Sequence, residues 1–308
     1  MVRPRPRPAV APRRPSEASA AVVVRALDGQ VGGAFVWRRA LVEPWSPRER
    51  ACLERLMAER AAGRARGAAR AALALAVQWE RRGWWAAAAA VLERALGWAP
   101  TADMALHAGR LARLAGERER ARAWYAAVPH LPGGAKLARL AAVGGAMVAA
   151  QPEAALTRVA ADAWRAGDWE AAAVAFEERG RLRRARGAVS AAARDWARAV
   201  RLYPDADDRG RVLFALADLA AAGRPRAARE LLLAAAALGD PTQRAEAEAR
   251  LAQWARRHGD EVGRRRWRAS RGMLVAVGLP RQTRDDARWA ELAGRWRVRL
   301  VGARANGR

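Results

Sequence analysis

The chain has 308 residues, and its 57 Lys and Arg against 31 Asp and Glu give a formal net charge of +26 at pH 7. The single cysteine, Cys52, excludes an intrachain disulfide and a thiolate metal site. The longest apolar stretches are too short to cross a bilayer, so we expect a soluble cytoplasmic protein. A surface of this charge attracts acidic proteins, nucleic acids or anionic lipid, although helix arginines can also simply face solvent.

Two segments precede the first clear helix signal. Arginine and proline alternate in residues 1–19, a composition that cannot bury a core and predicts a disordered tail. Residues 20–45 contain valine clusters on either side of the Asp28-Gly29 pair. This pattern predicts a short β-hairpin or an irregular lead-in.

A helix start is encoded at residues 46–49. Ser46 is a favourable N-cap, Pro47 suits the first helical position, and Glu49 completes a capping box. The sequence therefore predicts a helix over residues 47–66. Residues 46–68 are interpreted as an N-terminal capping helix that covers the apolar end of the helical region beginning at residue 69.

Glycines interrupt the helical pattern at regular intervals after residue 69. They are Gly83, Gly116, Gly187, Gly223 and Gly259, with gaps of 33, 71, 36 and 36 residues. The long gap divides near Pro152 into about 34 and 37 residues. A recurring unit of this length with two helices predicts an α-solenoid over residues 69–278. A C-terminal capping helix and tail are predicted at residues 279–308.

Two of these units resemble the tetratricopeptide repeat. The first resemblance is carried by Ala76, Trp79, Gly83, Trp85, Ala88, Leu92, Ala95, Leu96 and Pro100. The second is carried by Phe176, Gly180, Gly187, Ala192, Trp196, Ala199 and Pro204. The resemblance implies an all-α fold, a right-handed superhelix of about six helix pairs with capping helices at both ends. It also implies a non-enzymatic scaffold or adaptor that binds a partner segment in a concave groove.

Small and large residues alternate at the positions where the two helices of a unit would cross. Gly109, Gly180 and Ala76 are expected at the closest approach. Tyr125, Trp196 and other large side chains are expected to fill the gap to the next helix.

No catalytic or metal-binding constellation is present in the sequence. The three histidines, His107, His130 and His258, lie far apart and are interpreted as ordinary helix or turn residues. The paired carboxylates Glu177 and Glu178 stand among arginines, which favours ion pairs over acid–base catalysis. We expect no cofactor and no enzymatic activity.

The arginines are the remaining candidates for a functional site. Projecting the repeat register outward from the first helix of each unit predicts a partner-binding set comprising Arg70, Arg81, Arg110, Arg113, Arg181, Arg184, Arg256 and Arg257. Arginine binds carboxylates with planar, bidentate contacts, so the expected partner is a protein with an acidic segment. The same projection places apolar residues in the groove, namely Leu73, Val77, Leu106, Leu137, Leu140, Met147, Leu213 and Ala217.

Two alternative functions remain open. A nucleic-acid-binding protein would use the basic surface, with candidate contacts at Arg264, Arg265, Arg266, Trp267 and Arg268. A helical accessory subunit would act beside a separate enzyme or regulator.

Overall fold

The computed structural model describes residues 17–27, 45–221, 225–238 and 241–258. These residues form thirteen α-helices and include no β-strand. In chain order the helices are α1 Glu17–Leu27, α2 Pro47–Ala61, α3 Ala65–Arg81, α4 Trp85–Trp98, α5 Ala102–Leu114, α6 Arg118–Ala127, α7 Gly134–Met147, α8 Pro152–Arg165, α9 Trp169–Ala185, α10 Val189–Leu202, α11 Ala206–Ala221, α12 Pro225–Leu238 and α13 Pro241–His258. The all-α prediction is confirmed.

The chain divides into two compact units, Met1–Ala150 and Gln151–Arg308. In the first unit α2 to α7 each pack against the next helix along the chain, and α1 packs against α4. In the second unit α8 to α13 pack consecutively in the same way. Consecutive packing leaves each helix with one side that its sequence neighbours do not cover.

Glycine turns join many of these helices. Positive φ angles occur at six glycines, Gly63, Gly83, Gly116, Gly133, Gly167 and Gly187. L-residues rarely adopt this backbone conformation, so glycine fixes the turns at these positions. The sequence pattern predicts the turns at Gly83, Gly116 and Gly187 and misses Gly63, Gly133 and Gly167. The predicted breaks at Gly223 and Gly259 lie outside the described residues.

Helix α1 corrects two predictions: residues 17–19 are helical instead of a disordered tail, and residues 20–27 are helical instead of hairpin or irregular. Ala20, Val23, Val24 and Leu27 are buried and recur at helical spacing, so the valines belong to one apolar face. The Leu27 carbonyl accepts a hydrogen bond from Arg60 Nη1 at 2.9 Å. Tertiary burial thus outweighs the β preference of valine. The predicted tail up to residue 16 and the rest of the lead-in, residues 28–44, lie outside the described residues.

The predicted cap of α2 is present. The Ser46 hydroxyl accepts from the Glu49 backbone N–H at 3.3 Å, and the Ser46 N–H donates to Glu49 Oε2 at 2.9 Å. The helix ends at Ala61, before the predicted end at residue 66, because Gly63 turns the chain. Helix α3 then starts at Ala65, so the predicted boundary between residues 68 and 69 falls inside it.

The predicted close approaches are also present. A Cβ at Gly109 would lie 2.9 Å from the Tyr125 ring, and one at Gly180 would lie 2.5 Å from Trp196. Both rings are buried. Glycine therefore lets α5 approach α6, and α9 approach α10, more closely than alanine would.

Ion pairs bridge helices that are about 30 residues apart in sequence. In the first unit they join Glu80 to Arg110 and Glu93 to Arg120, at separations of 30 and 27 residues. In the second unit they join Glu153 to Arg183, Glu177 to Arg211 and Asp218 to Arg250, at separations of 30, 34 and 32. The recurrence shows that similar contacts are repeated along the chain.

We predict that Gly180→Ala lowers the free energy of unfolding by about 1–3 kcal/mol, because the added methyl group overpacks a fixed ring. Trp196 cannot move freely, since its Nε1 donates to the Glu177 carbonyl at 3.0 Å. Urea denaturation followed by circular dichroism measures the change. The matched control is Gly145→Ala in α7, where the new methyl group meets open space. This control should be stabilising by about 0.5–1 kcal/mol; equal effects of the two substitutions would contradict the packing.

Candidate partner-binding surface

One side of α3 is exposed and carries two of the predicted arginines. We call Arg66, Arg70, Leu73, Val77 and Arg81 the α3 face, because their three- and four-residue spacing places them on one side of the helix. The three arginines are exposed and the two apolar residues are half-buried. The opposite side of the helix is buried through Ala68, Ala72, Leu75 and Trp79.

Helix α5 lies next to this face. Glu80 lies at the end of α3. Its Oε2 accepts a hydrogen bond from Arg110 Nη2 at 2.8 Å and lies 2.9 Å from His107 Nε2. Half-buried Leu106 precedes these residues on α5 and packs against the core, as does Leu73. Leu73 and Val77 on α3 and Leu106 on α5 are half-buried apolar residues with charged residues nearby in the sequence, and we call these three residues the apolar strip.

The arginines of this surface differ in how far they are engaged. Arg110 is tied to Glu80, and Arg113 is half-buried, with a buried Nε that has no hydrogen-bond partner. Arg70 donates its Nε to the Arg66 carbonyl within its own helix at 3.4 Å. Arg81 makes no hydrogen bond or ion pair with any residue that the structure describes. Arg70 and Arg81 thus keep guanidinium groups available to a partner.

In the second unit the predicted arginines have partners within the protein. Arg181 binds Glu177 and Glu178, as the sequence predicts for this carboxylate pair. The Arg184 guanidinium lies 5.8 Å from the centre of the Trp196 ring. The backbone of residues 256–257 belongs to α13, but their side chains lie outside the described residues, as does the whole of residues 264–268.

The projection of Leu213 and Ala217 into a groove is wrong. They are only 1% and 2% exposed. Helix α11 packs against α10, α12 and α13, which leaves little of its surface open. Repeat spacing alone does not show which faces later helices cover.

The buried side chain of Glu177 binds residues from more than one helix of the second unit. Its Oε2 accepts from the Tyr203 hydroxyl at 2.5 Å, and its Oε1 accepts from Arg181 and Arg211. Burial raises the pKa of Tyr203 far above its ordinary value, and the Glu177 carboxylate raises it further. Tyr203 is therefore a neutral donor that holds Glu177 in place. The contacts of Glu177 connect α9 to Tyr203 at the end of α10 and to Arg211 on α11.

A second buried ion pair joins α9 to α10. Arg179 binds both oxygens of Asp195 at 2.9 and 2.7 Å, and Asp195 also accepts from Arg183 at 2.8 Å. Arg179 completes its contacts by donating to the Thr157 hydroxyl at 2.9 Å. Asp195 is fully buried, so all of its contacts are made within the protein.

We predict that Asp195→Ala lowers the free energy of unfolding by about 3–5 kcal/mol, because it leaves Arg179 buried without its counter-charge. Asp162→Ala is the control, since Asp162 pairs with Arg165 on the surface. The control should change stability by less than about 1 kcal/mol. Chemical denaturation tests both variants, and a mild effect of Asp195→Ala would show that the pair is not needed to hold α9 against α10.

Glu153 links α8 to α9 through Arg183 and Arg186, both at 2.8 Å. The hydrogen bond from Arg183 is the main reason that the pKa of Glu153 lies below its ordinary value of 4.5. A carboxylate with a depressed pKa stabilises the fold above the ordinary pKa, and this contribution is lost as pH falls through the depressed value.

We predict that Glu153→Gln is less stable than the wild type at about pH 7 and that the difference shrinks at about pH 3. Thermal unfolding followed by tryptophan fluorescence at both pH values measures it. A difference that grows toward low pH would contradict the assignment.

Sequence reasoning missed two exposed features. Arg66 extends the α3 face, and its four-residue spacing from Arg70 is a signal that was available in the sequence. Trp164 and Trp169 are 49% and 48% exposed, and their rings meet edge to face at 5.4 Å across the Gly167 turn. The sequence pattern does not predict the Gly167 turn, so it does not predict that these two tryptophans contact each other.

No metal site is formed by His, Cys, Asp and Glu side chains within the described part of the chain. Burial is the main reason that the pKa of the Cys52 thiol is raised, which disfavours its reactive thiolate form. Among the helices described, none has the length and apolar character required to span a membrane. A comparison with known protein families and with curated proteins finds no match to this chain.

Proposed function

We propose that this protein is a non-enzymatic scaffold or adaptor, with about six tetratricopeptide-like helix pairs arranged as a superhelix. Three observations support the repeat architecture. The turns at Gly83, Gly116 and Gly187 follow the predicted spacing, and Gly109 and Gly180 pack against aromatic rings. Several ion pairs join residues that are 27 to 34 positions apart in the sequence. Each is expected when helix pairs of similar design stack along a chain.

The observation that carries the function is the apolar strip on α3 and α5. Leu73, Val77 and Leu106 remain half-buried although the opposite sides of their helices are fully packed. Partly exposed apolar residues that are bordered by charge are typical of a surface that another protein covers. The proposed ligand is therefore a segment of a partner protein that lies along the first helices of the repeats.

Two alternatives are tested by the same experiment. The formal charge of +26 favours nucleic acid as a second candidate ligand. A helical accessory subunit of an enzyme or regulator would use the same apolar strip, and the identity of the captured protein distinguishes it from a general adaptor.

We predict that affinity capture from native lysate recovers a small set of proteins in moderate salt, with or without nuclease. Leu73→Gln combined with Leu106→Gln should deplete that set, because the substitutions make the strip polar. Trp85→Gln combined with Val189→Gln is the matched control, since these apolar residues are exposed elsewhere. Circular dichroism confirms that both variants are folded, and quantitative mass spectrometry compares the recovered proteins.

Recovery that is unchanged in the Leu73 and Leu106 variant would contradict the proposal. Recovery of nucleic-acid-associated proteins that disappears after nuclease treatment would support nucleic-acid binding instead.

A further inference from the structure

The positive charge is not evenly distributed within residues 45–221. Residues 45–150 contain 17 Lys and Arg against 8 Asp and Glu, whereas residues 151–221 contain 12 against 11. Within residues 151–221 the formal charges nearly cancel, and Glu153, Glu177 and Asp195 each bind two arginines. The excess of basic over acidic residues within residues 45–221 therefore lies mainly in residues 45–150.

Part of this excess of basic residues lies on the α3 face. Glu80 is the only acidic residue of α3, and it is occupied by Arg110 and His107. The three exposed arginines of the face have no carboxylate partner among the described residues. Their attraction for an anionic ligand is consequently not cancelled within the helix.

The spacing of the charges favours one class of ligand. Arg70 and Arg81 are eleven residues apart, which is about 16 Å along a helix axis. Leu73 and Val77 lie between them on the same face and are half-buried. A nucleic-acid backbone carries charge at every step, whereas this surface is apolar in its centre and basic at its ends. A helical segment with an apolar face and carboxylates about three turns apart matches that order.

Building on the proposed scaffold function, we propose that the α3 face binds an acidic amphipathic helix of a partner protein. The apolar side of that helix lies on Leu73 and Val77. Carboxylates at its two ends pair with Arg70 and Arg81. Arginine suits this contact because its planar guanidinium binds a carboxylate through two hydrogen bonds.

The test uses a fluorescein-labelled designed helical peptide of about 18 residues, long enough to cover the α3 face. It carries a leucine stripe bordered by two Glu residues about eleven positions apart, and a second peptide has Gln in their place. Fluorescence anisotropy measures the Kd of both peptides for the full chain. The protein variants are Arg70→Gln with Arg81→Gln, and the charge-matched control Arg194→Gln with Arg198→Gln on exposed positions of α10.

We expect the Glu peptide to bind the wild type about tenfold more tightly than the Gln peptide, as two exposed ion pairs would give. The Arg70 and Arg81 variant should lose this difference, and the α10 control should keep it. High salt should weaken binding of the Glu peptide more than that of the Gln peptide.

Several outcomes would overturn the inference. If both peptides bind equally and Leu73→Gln weakens both, the α3 face binds protein segments through its apolar residues. The proposal of an acidic partner is then wrong. If the two arginine variants lose affinity equally, binding depends on overall charge alone. Tighter binding of single-stranded DNA of equal length, lost in the Arg70 and Arg81 variant, would assign the face to nucleic acid. Failure of the Glu peptide to bind would also overturn it, while the capture experiment still tests the scaffold function separately.

Discussion

Contacts between a glycine on one helix and an aromatic ring on another set the distance between helices in both units. Tyr125 packs on Gly109 and Gly144, and Trp196 packs on Gly180. Because the rings are buried at the crossing points, the side of each of these helices that faces its neighbour is fixed. The remaining side of a helix is then available for other contacts. In α3 that side carries arginine and half-buried aliphatic residues, which is why it is the strongest candidate for a binding surface.

Ion pairing determines which arginines remain free. In the second unit the carboxylates of Glu153, Glu177 and Asp195 lie between helices and bind five arginines, one of which, Arg181, sequence reasoning assigns to a partner. Residues 151–221 contain 12 basic and 11 acidic residues, so their formal charges nearly cancel. In the first unit there are fewer carboxylates than arginines, so Arg70 and Arg81 stay unpaired with any described carboxylate. A formal charge of +26 is therefore a poor guide to the binding surface until the internal pairs are known.

Local signals in the sequence predict much of this fold. The Ser46 cap, the turns at Gly83 and Gly187, and the contact between Gly180 and Trp196 all follow from residue type and spacing. Helix α1 is mispredicted because three consecutive valines suggest a strand, although burial of every third or fourth residue makes them a helix face. The binding surface is only partly predictable. The pairing of Arg181 and the burial of Leu213 depend on helices that are distant in sequence, and repeat spacing contains no information on them.

Hydrogen exchange of the intact chain tests the central claim, that the partner segment lies along α3 and α5 of the first unit. Mass spectrometry would compare exchange with and without the saturating Glu peptide. The account predicts slower exchange in residues 65–81 and 102–114, because bound ligand suppresses local opening of the helices that it contacts. It predicts no change in residues 189–202, where exposed arginines lie without an apolar strip. Protection centred on residues 189–202, with none on α3, would contradict it.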